Sequence, residues 1–244
     1  IIEASDAVMV ARGDLAIEIG DAEVPAVQKH IIERARALNK AAITATQMME
    51  SMVESTVPTR AEVSDVANAV LDGTDAIMLS EESAIGKHPH IVVEAMVRVC
   101  LAVERQPETR ISEHRIETNF ERVDETIAMA TIYVANHLHI KAIIALTESG
   151  RTPLWMSRIR TSIPIYALTD NIKTRRKMAL YRDVHAVAFD QIAASEKDDD
   201  VSLPAIEKLK AMDIVHAGDH VAMTRGNELG THGGTNSLRI HTVT

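Results

Sequence analysis

The sequence predicts an α/β protein in two parts, and three observations carry that class. Three short apolar runs near the start each close on a polar cluster: Ala7 to Ala11 on Arg12-Gly13-Asp14, Ala41 to Ile43 on Thr44-Ala45-Thr46-Gln47, and Ala76 to Leu79 on Ser80-Glu81-Glu82. The clusters are evenly spaced, with Thr46 32 residues beyond Asp14 and Ser80 34 residues beyond Thr46, which is room for a strand, a helix and two loops. Beyond Gln106 the even period is lost, but strand and helix patterns go on alternating, as a second, smaller α/β domain requires. A helical repeat has a similar period, yet these runs are too short for helices and lack a 3.6-residue stripe.

Short uninterrupted apolar runs are what strands buried on both faces look like, and helices between them imply right-handed crossovers in a parallel sheet. Residues 24 to 39 read as an amphipathic helix with Pro25 in its first turn. In residues 58 to 73, Thr59 and Glu62 have capping-box spacing and Gly73 is a helix stop. A longer helix is expected from about Pro89 to Glu104, with a domain boundary near residue 106, giving domains 1–105 and 106–244. In the second domain the pattern predicts a helix from Asp124 to His139, a strand at Ala142 to Leu146, a helix from Thr152, a strand at Ile163 to Leu168, a helix from Asn171 and a strand at Val184 to Ala188. The acidic run Glu196-Lys197-Asp198-Asp199-Asp200 reads as a solvated loop before another helix, and strands at His220 to Thr224 and Ser237 to Val243 follow.

With 46% hydrophobic and 25% charged residues the 244-residue chain has the material for a substantial core, built from aliphatics and 11 Met because only 2% is aromatic. A net charge of −9 without a long basic stripe argues against nucleic acid or an anionic membrane as the main partner. The local basic stretch Arg158, Arg160, Lys173, Arg175, Arg176 and Lys177 reads first as a solvated face and second as an anion site. Cys100 is alone, so no intrachain disulfide framework is expected, which suits a reducing cytosol, and its apolar neighbours point to a structural thiol. No apolar run approaches the roughly 18 residues of a membrane helix, and no signal peptide is visible. An opening on Ile1 rather than Met fits processing or a portion of a longer protein.

Chemistry in parallel sheets collects where the strands end, which puts Asp14, Thr46 and Ser80 on one edge. A carboxylate at position 14 suits a magnesium ion, while the Gly13 and Asp14 amides suit an anion. Thr46 and Ser80 offer hydroxyls for positioning a substrate or relaying a proton. Walker, dinucleotide, zinc-protease, Cys-x-x-Cys and nucleophile-elbow patterns are missing, and the 11 His are scattered without metal-ligand spacing. In the second domain, Thr147-Glu148-Ser149-Gly150-Arg151-Thr152 leads from a strand into a helix; it reads either as a phosphate cradle or as simple capping by Ser149 or Thr152.

Taken in order, residues 9–15 (Met-Val-Ala-Arg-Gly-Asp-Leu), 45–52 (Ala-Thr-Gln-Met-Met-Glu-Ser-Met), 58–62 (Pro-Thr-Arg-Ala-Glu), 65–73 and 77–80 closely resemble pyruvate kinase of the bacterial type, and 147–152 with Gly234-Thr235-Asn236 fit the same family. The resemblance covers the chain but only the second half of that enzyme. It implies the last three strands of a (β/α)8 TIM barrel, the C-terminal part of that barrel, followed by the family's smaller α/β domain with a mostly parallel sheet. It implies phosphoryl transfer from phosphoenolpyruvate to ADP, giving pyruvate and ATP in cytoplasmic glycolysis, with Mg²⁺ held by Asp14 and K⁺ as a family expectation. Gly13, Asp14 and Thr46 would bind substrate, Thr46 and Ser80 would serve catalysis, and Glu82 would lie in or near the pocket. Thr147, Ser149, Gly150, Arg151 and Thr152 would bind a phosphorylated allosteric effector, with the Gly226-to-Gly234 loop closing over it. The helix from Val24 would lie near a subunit interface of a homotetramer.

The transition-state Lys, the second Mg²⁺-binding Glu, the K⁺ ligands and the lid domain belong upstream of Ile1 in the family pattern, so this chain alone is expected to be inactive. Two departures stand out. Ala16 replaces the usual Gly, which strains the turn if that position needs a positive φ, and Glu81 adds negative charge near an anionic substrate. A non-catalytic module for phosphate-effector binding and oligomerisation, and a different magnesium-dependent phosphoenolpyruvate or pyruvate barrel enzyme, are the competing functions.

Overall fold

Strands β1 (Ala7–Ala11), β2 (Ala41–Ala45) and β3 (Ala76–Met78) pair in parallel in the order β1-β2-β3. In this computed structural model, which describes residues 1–106, 120–190, 201–226 and 233–244, the chain divides into two compact units, Ile1–Arg110 and Ile111–Thr244. In the first unit Ala11 lies opposite Ala45, and Ala45 opposite Met78, so the three strands finish level. Their following residues therefore leave the sheet along one edge.

The crossovers are helical. Helices α1 (Arg12–Ile19) and α2 (Val24–Ala37) link β1 to β2, α3 (Arg60–Asp72) links β2 to β3, and α4 (Glu81–Ala84) and α5 (Pro89–Glu104) follow. Pro25 sits in the first turn of α2, where its missing N–H costs nothing, and Ile32 and Ala35 bury that helix against Val10 and Ala42. The expected capping box on α3 is present, and Gly73 ends the helix at φ 90°. A Cβ there would also strike the Arg36 guanidinium. Met48, Met49 and Met52 are fully buried among Val66, Ala69, Val92 and Ala95, where unbranched side chains fill a core with few aromatic rings. Cys100, half-buried, packs on the same cluster.

Two sequence expectations need correction here. Only β2 is buried on both faces, while Met9 of β1 and Met78 of β3 remain 50% and 38% exposed because alternate residues of these edge strands turn away from the packed helices. Ala16 lies inside α1 with negative φ, so it carries no turn strain; the left-handed conformation falls at Gly20, φ 88°.

The second unit holds a five-stranded sheet in the order β6-β5-β4-β7-β8, from β4 (Ile140–Leu146), β5 (Ile165–Thr169), β6 (Val184–Ala188), β7 (His220–Gly226) and β8 (Thr235–Thr242). All neighbours are parallel except β7 and β8. Among the described residues, helices α6 (Val123–His137), α7 (Arg151–Ser157), α8 (Ile172–Met178) and α9 (Ser202–Ala211) accompany it. The central strand β4 is almost wholly buried, as its continuous apolar run requires. One sheet face, including Ile144, Leu168, Val187 and Met223, packs on Ala205, Ile206 and Leu209 of α9. Strand β5 begins two residues later than expected: Pro164 has no N–H, and its carbonyl accepts from Ile143 instead. Helix α6 stops at His137 because Leu138 turns extended and the chain enters β4 at Ile140. The acidic run 196–200 lies outside the described residues. Among the described residues no helix is long and apolar enough to cross a membrane.

Candidate functional site

At the level ends of β1 and β2 the structure joins two of the expected site residues directly. The Gly13 amide donates to Thr46 Oγ1 at 3.2 Å, and Thr46 Oγ1 donates to the Ala45 carbonyl at 2.6 Å. Asp14 lies in the first turn of α1 with its side chain exposed and with no hydrogen-bond partner among the described residues. Among these residues no group of three or more His, Cys, Asp or Glu gathers as a metal cage. A single free carboxylate at a helix start nevertheless fits magnesium, which keeps waters and substrate oxygens and needs only one or two protein carboxylates.

The residue that organises this edge is Arg12, which sequence reasoning passed over. Its Nη1 bonds both carboxylate oxygens of Asp65 on α3, at 2.7 and 2.6 Å, and its Nη2 reaches the Thr46 carbonyl at 2.6 Å and that of Gln47 at 3.3 Å. Thr46 and Gln47 need such a clamp, because both hold left-handed backbone, φ 69° and 53°. For a β-branched Thr that conformation is a strained one, sustained only by its surroundings. The signal was in the sequence as a neighbour of Gly13-Asp14, but its partner Asp65 is 53 residues away.

Glu82 plays the matching part at the end of β3. Its side chain is buried, with Oε1 accepting from the Met49 amide at 3.0 Å and Oε2 from the Ser80 amide at 2.7 Å. The carboxylate thus ties the segment after β2 to Ser80, satisfying two backbone donors with one charged acceptor. Glu81 is exposed in the first turn of α4, where a negative charge is favoured by the helix dipole.

In the second unit the segment from Thr147 to Thr152 forms a tight turn into α7. Gly150, φ 73°, is the N-cap residue; neither Ser149 nor Thr152 caps the helix, contrary to the simpler sequence reading. Thr147 Oγ1 accepts from the Gly150 amide at 3.0 Å, and Thr152 Oγ1 is buried in a 2.8 Å hydrogen bond with Thr235. Thr174 Oγ1 donates to the Glu148 carbonyl at 2.8 Å, which holds the turn against α8. Ser149 is left half-buried with its hydroxyl uncommitted among the described residues, beside the exposed Arg151.

Arg122 and Arg151 lie over the ring of Trp155, at 5.6 and 5.9 Å from its centre. Arg122 also pairs with buried Asp124 at 2.8 Å, whose hydrogen bond and charge push the guanidinium pKa up. Gly233, φ 72°, brings the next chain segment against these groups: a Cβ there would stand 2.9 Å from Arg122 Nη2 and 3.4 Å from Arg151 Nη1. Most of the Gly226-to-Gly234 loop lies outside the described residues.

The family model described as "Pyruvate kinase, barrel domain" matches residues 1–93, and "Pyruvate kinase, alpha/beta domain" matches residues 125–241. The chain is 52% identical, over its whole length, to pyruvate kinase II of Salmonella typhimurium, covering 50% of that protein. It is 48% identical to a pyruvate kinase of Buchnera aphidicola, with 98% of this chain and 50% of that protein aligned. The structure superimposes on the crystal structure of a pyruvate kinase from Cryptosporidium parvum with a TM-score of 0.88 at 34% identity, covering 100% of this chain and 48% of that one. The chain spans about half the length of the relatives it matches. With both family domains present in order, this chain belongs to the pyruvate kinase family, of which it forms the carboxy-terminal portion: part of the barrel domain and the α/β domain that follows.

Proposed function

We propose that this chain works as the carboxy-terminal part of a cytoplasmic enzyme that moves a phosphoryl group from phosphoenolpyruvate to ADP, giving pyruvate and ATP. The observation that carries the reading is the Gly13–Thr46 hydrogen bond beside the free carboxylate of Asp14 at level strand ends, in a chain matched along its length by pyruvate kinases. Asp14 would hold Mg²⁺. When bound, the ion supplies positive charge against the oxygens of the transferring group, which is where most catalysis of phosphoryl transfer lies. The Asp14 amide would hold the substrate, joined by the Gly13 amide and the Thr46 hydroxyl once substrate replaces the bonds they make to each other and to the Ala45 carbonyl; Arg12 fixes the Thr46 backbone for that task, and Glu82 fixes Ser80. One metal-binding carboxylate is half a site. The remaining charges, including the K⁺ ligands, come from parts of the complete protein that this chain does not contain, and the 244-residue chain alone does not turn over.

The loop from Thr147 to Thr152 is proposed as the seat of a phosphorylated effector, with Ser149 and Arg151 as the direct contacts and Thr147, Gly150 and Thr152 shaping the turn. The complete protein is proposed to be a homotetramer with α2 near a subunit contact. A coupled assay tests the central reading: magnesium-dependent pyruvate formation is expected from the protein of the complete reading frame and none from the purified 244-residue chain. Turnover by the chain alone would overturn the half-site; an inactive complete protein would overturn the reaction.

A further inference from the structure

In the second unit, β6 ends the sheet among the described residues, pairing there with β5 on one side only. The Ile165 amide bonds the Asp183 carbonyl and the Phe189 amide bonds the Thr169 carbonyl, so the odd-numbered residues of β6 face β5. Ala186 and Ala188 therefore turn their N–H and C=O groups outward, and neither residue has a further backbone partner among the described residues. Along this edge runs a groove of about 780 Å³. One wall is α8, with Ile172, Arg175 and Arg176; the other holds Met212 and Ile214, next to the stacked rings of Tyr166 and His185, 5.1 Å apart. Ile172 and Met212 stay 43% and 42% exposed. Neither Arg175 nor Arg176 has an ion-pair partner among the described residues, and no carboxylate lines the groove, although the chain as a whole carries a charge of −9.

We propose that the outer edge of β6 is a docking site for an extended acidic peptide that adds to the sheet as a sixth strand. An edge with free donors and acceptors recognises a backbone, and flanking walls read alternate side chains. The two walls lie on opposite faces of the sheet. Tyr166 and Ile214 pack with the α9 core, and α8, the β5-to-β6 crossover, covers the other face. The bound strand therefore presents carboxylates toward Arg175 and Arg176 at every second position and apolar or aromatic side chains toward Met212, Ile214 and Tyr166 in between. A second copy of this chain is a poor occupant, because edge-to-edge pairing would bring two Arg pairs together.

The probe is a fluorescein-labelled, end-capped peptide of alternating Glu and Val, titrated by anisotropy into the 244-residue chain. Saturable binding is expected, with slowed hydrogen exchange at the Ala186 and Ala188 amides. Affinity should fall about tenfold for the surface variant R175E/R176E, and about as much for a Lys-Val peptide. A Glu-Val peptide N-methylated on the edge that faces β6 keeps its charge but loses its donors, so it should not bind. Equal binding of the methylated or the Lys-Val peptide, no binding of the parent peptide, exchange protection confined to other elements, or peptide-independent dimerisation through β6 would each overturn the proposal.

Discussion

Two turns at strand ends, one in each unit, solve the same backbone problem by opposite means. After β2 the left-handed residues are Thr46 and Gln47, neither suited to that conformation, and the turn is held from outside by Arg12, itself anchored on Asp65. After β4 the left-handed residue is Gly150, and the turn closes on its own Thr147 hydroxyl. The first turn stores strain and depends on distant charges; the second is built from residues that adopt it freely. Strain sustained by a clamp is what a site needs when it must hold groups in one geometry, whereas a self-closing turn leaves a hydroxyl such as Ser149 free for a ligand.

The largest expected difference between the two regions is functional. In the complete enzyme Asp14→Asn should lower kcat/KM by two to three orders of magnitude, the scale of losing one electrostatic element of transition-state stabilisation, while Thr46→Ser, which keeps the hydroxyl, costs far less. Ser149→Ala should instead weaken effector binding about tenfold, by losing one charge-assisted hydrogen bond to phosphate. Trp155, the one tryptophan of the chain and in cation-π contact with Arg151, gives a fluorescence readout for the titration. If Asp14→Asn stayed near wild-type activity with unchanged magnesium dependence, the first region would not be the reacting edge.

The next effect is on stability. Arg12→Met should destabilise the first unit by about 2 to 3 kcal/mol, since it strands a partly buried carboxylate and frees two backbone carbonyls beside strained residues. Hydrogen exchange at β2 amides reads it: exchange should accelerate there and not in β4. Equal protection in both proteins would mean that Arg12 is no clamp.

Much of this frame was legible beforehand because its causes are local. The end of β1, the Thr59–Glu62 capping box and the stop at Gly73 each follow from residues within one turn of each other, whereas β2 runs to Ala45, two residues past the apolar run that closed at Ile43. The clamps were not legible. Arg12 meets Asp65 across 53 residues and Glu82 meets Met49 across 33, and nothing in a run of letters distinguishes a buried carboxylate from the exposed Glu81 beside it. The capping assignment of Ser149 or Thr152 failed for a related reason: Thr152 finds Thr235, 83 residues on.

The two turns should also answer substitution with opposite signs. Gly150→Ala is expected to cost about 1 to 2 kcal/mol, because φ 73° opposes a Cβ that would also press to 2.8 Å on Met178 Cγ. Gln47→Gly should gain about 0.5 kcal/mol, since the exposed side chain makes no bond while its left-handed backbone is relieved. Urea unfolding followed by Trp155 fluorescence for the former, and β2 exchange for the latter, measure the pair. Destabilisation by Gln47→Gly would show that this turn is not strained.

The smallest effect is a pH dependence near the clamped turn. Burial alone would raise the Glu62 pKa, but hydrogen bonds from the Ser51 hydroxyl and amide and from the Thr59 amide and hydroxyl outweigh it, so the carboxyl sits below its ordinary 4.5. A depressed carboxylate pKa contributes stability that is fully present above the unfolded value and is lost as pH falls through the folded one. The first unit should therefore hold its stability down to about pH 5, then lose it as the solution is acidified through and below pH 4.5, when protonation breaks the bonds that join the Ser51 turn to the start of α3. Glu62→Gln removes the titration. Calorimetric melting should show the variant less stable than wild type at pH 6, with the gap narrowing toward pH 3. A gap that stays constant across that range would assign the bonds of Glu62 to shape alone and leave its charge without a part in holding the turn.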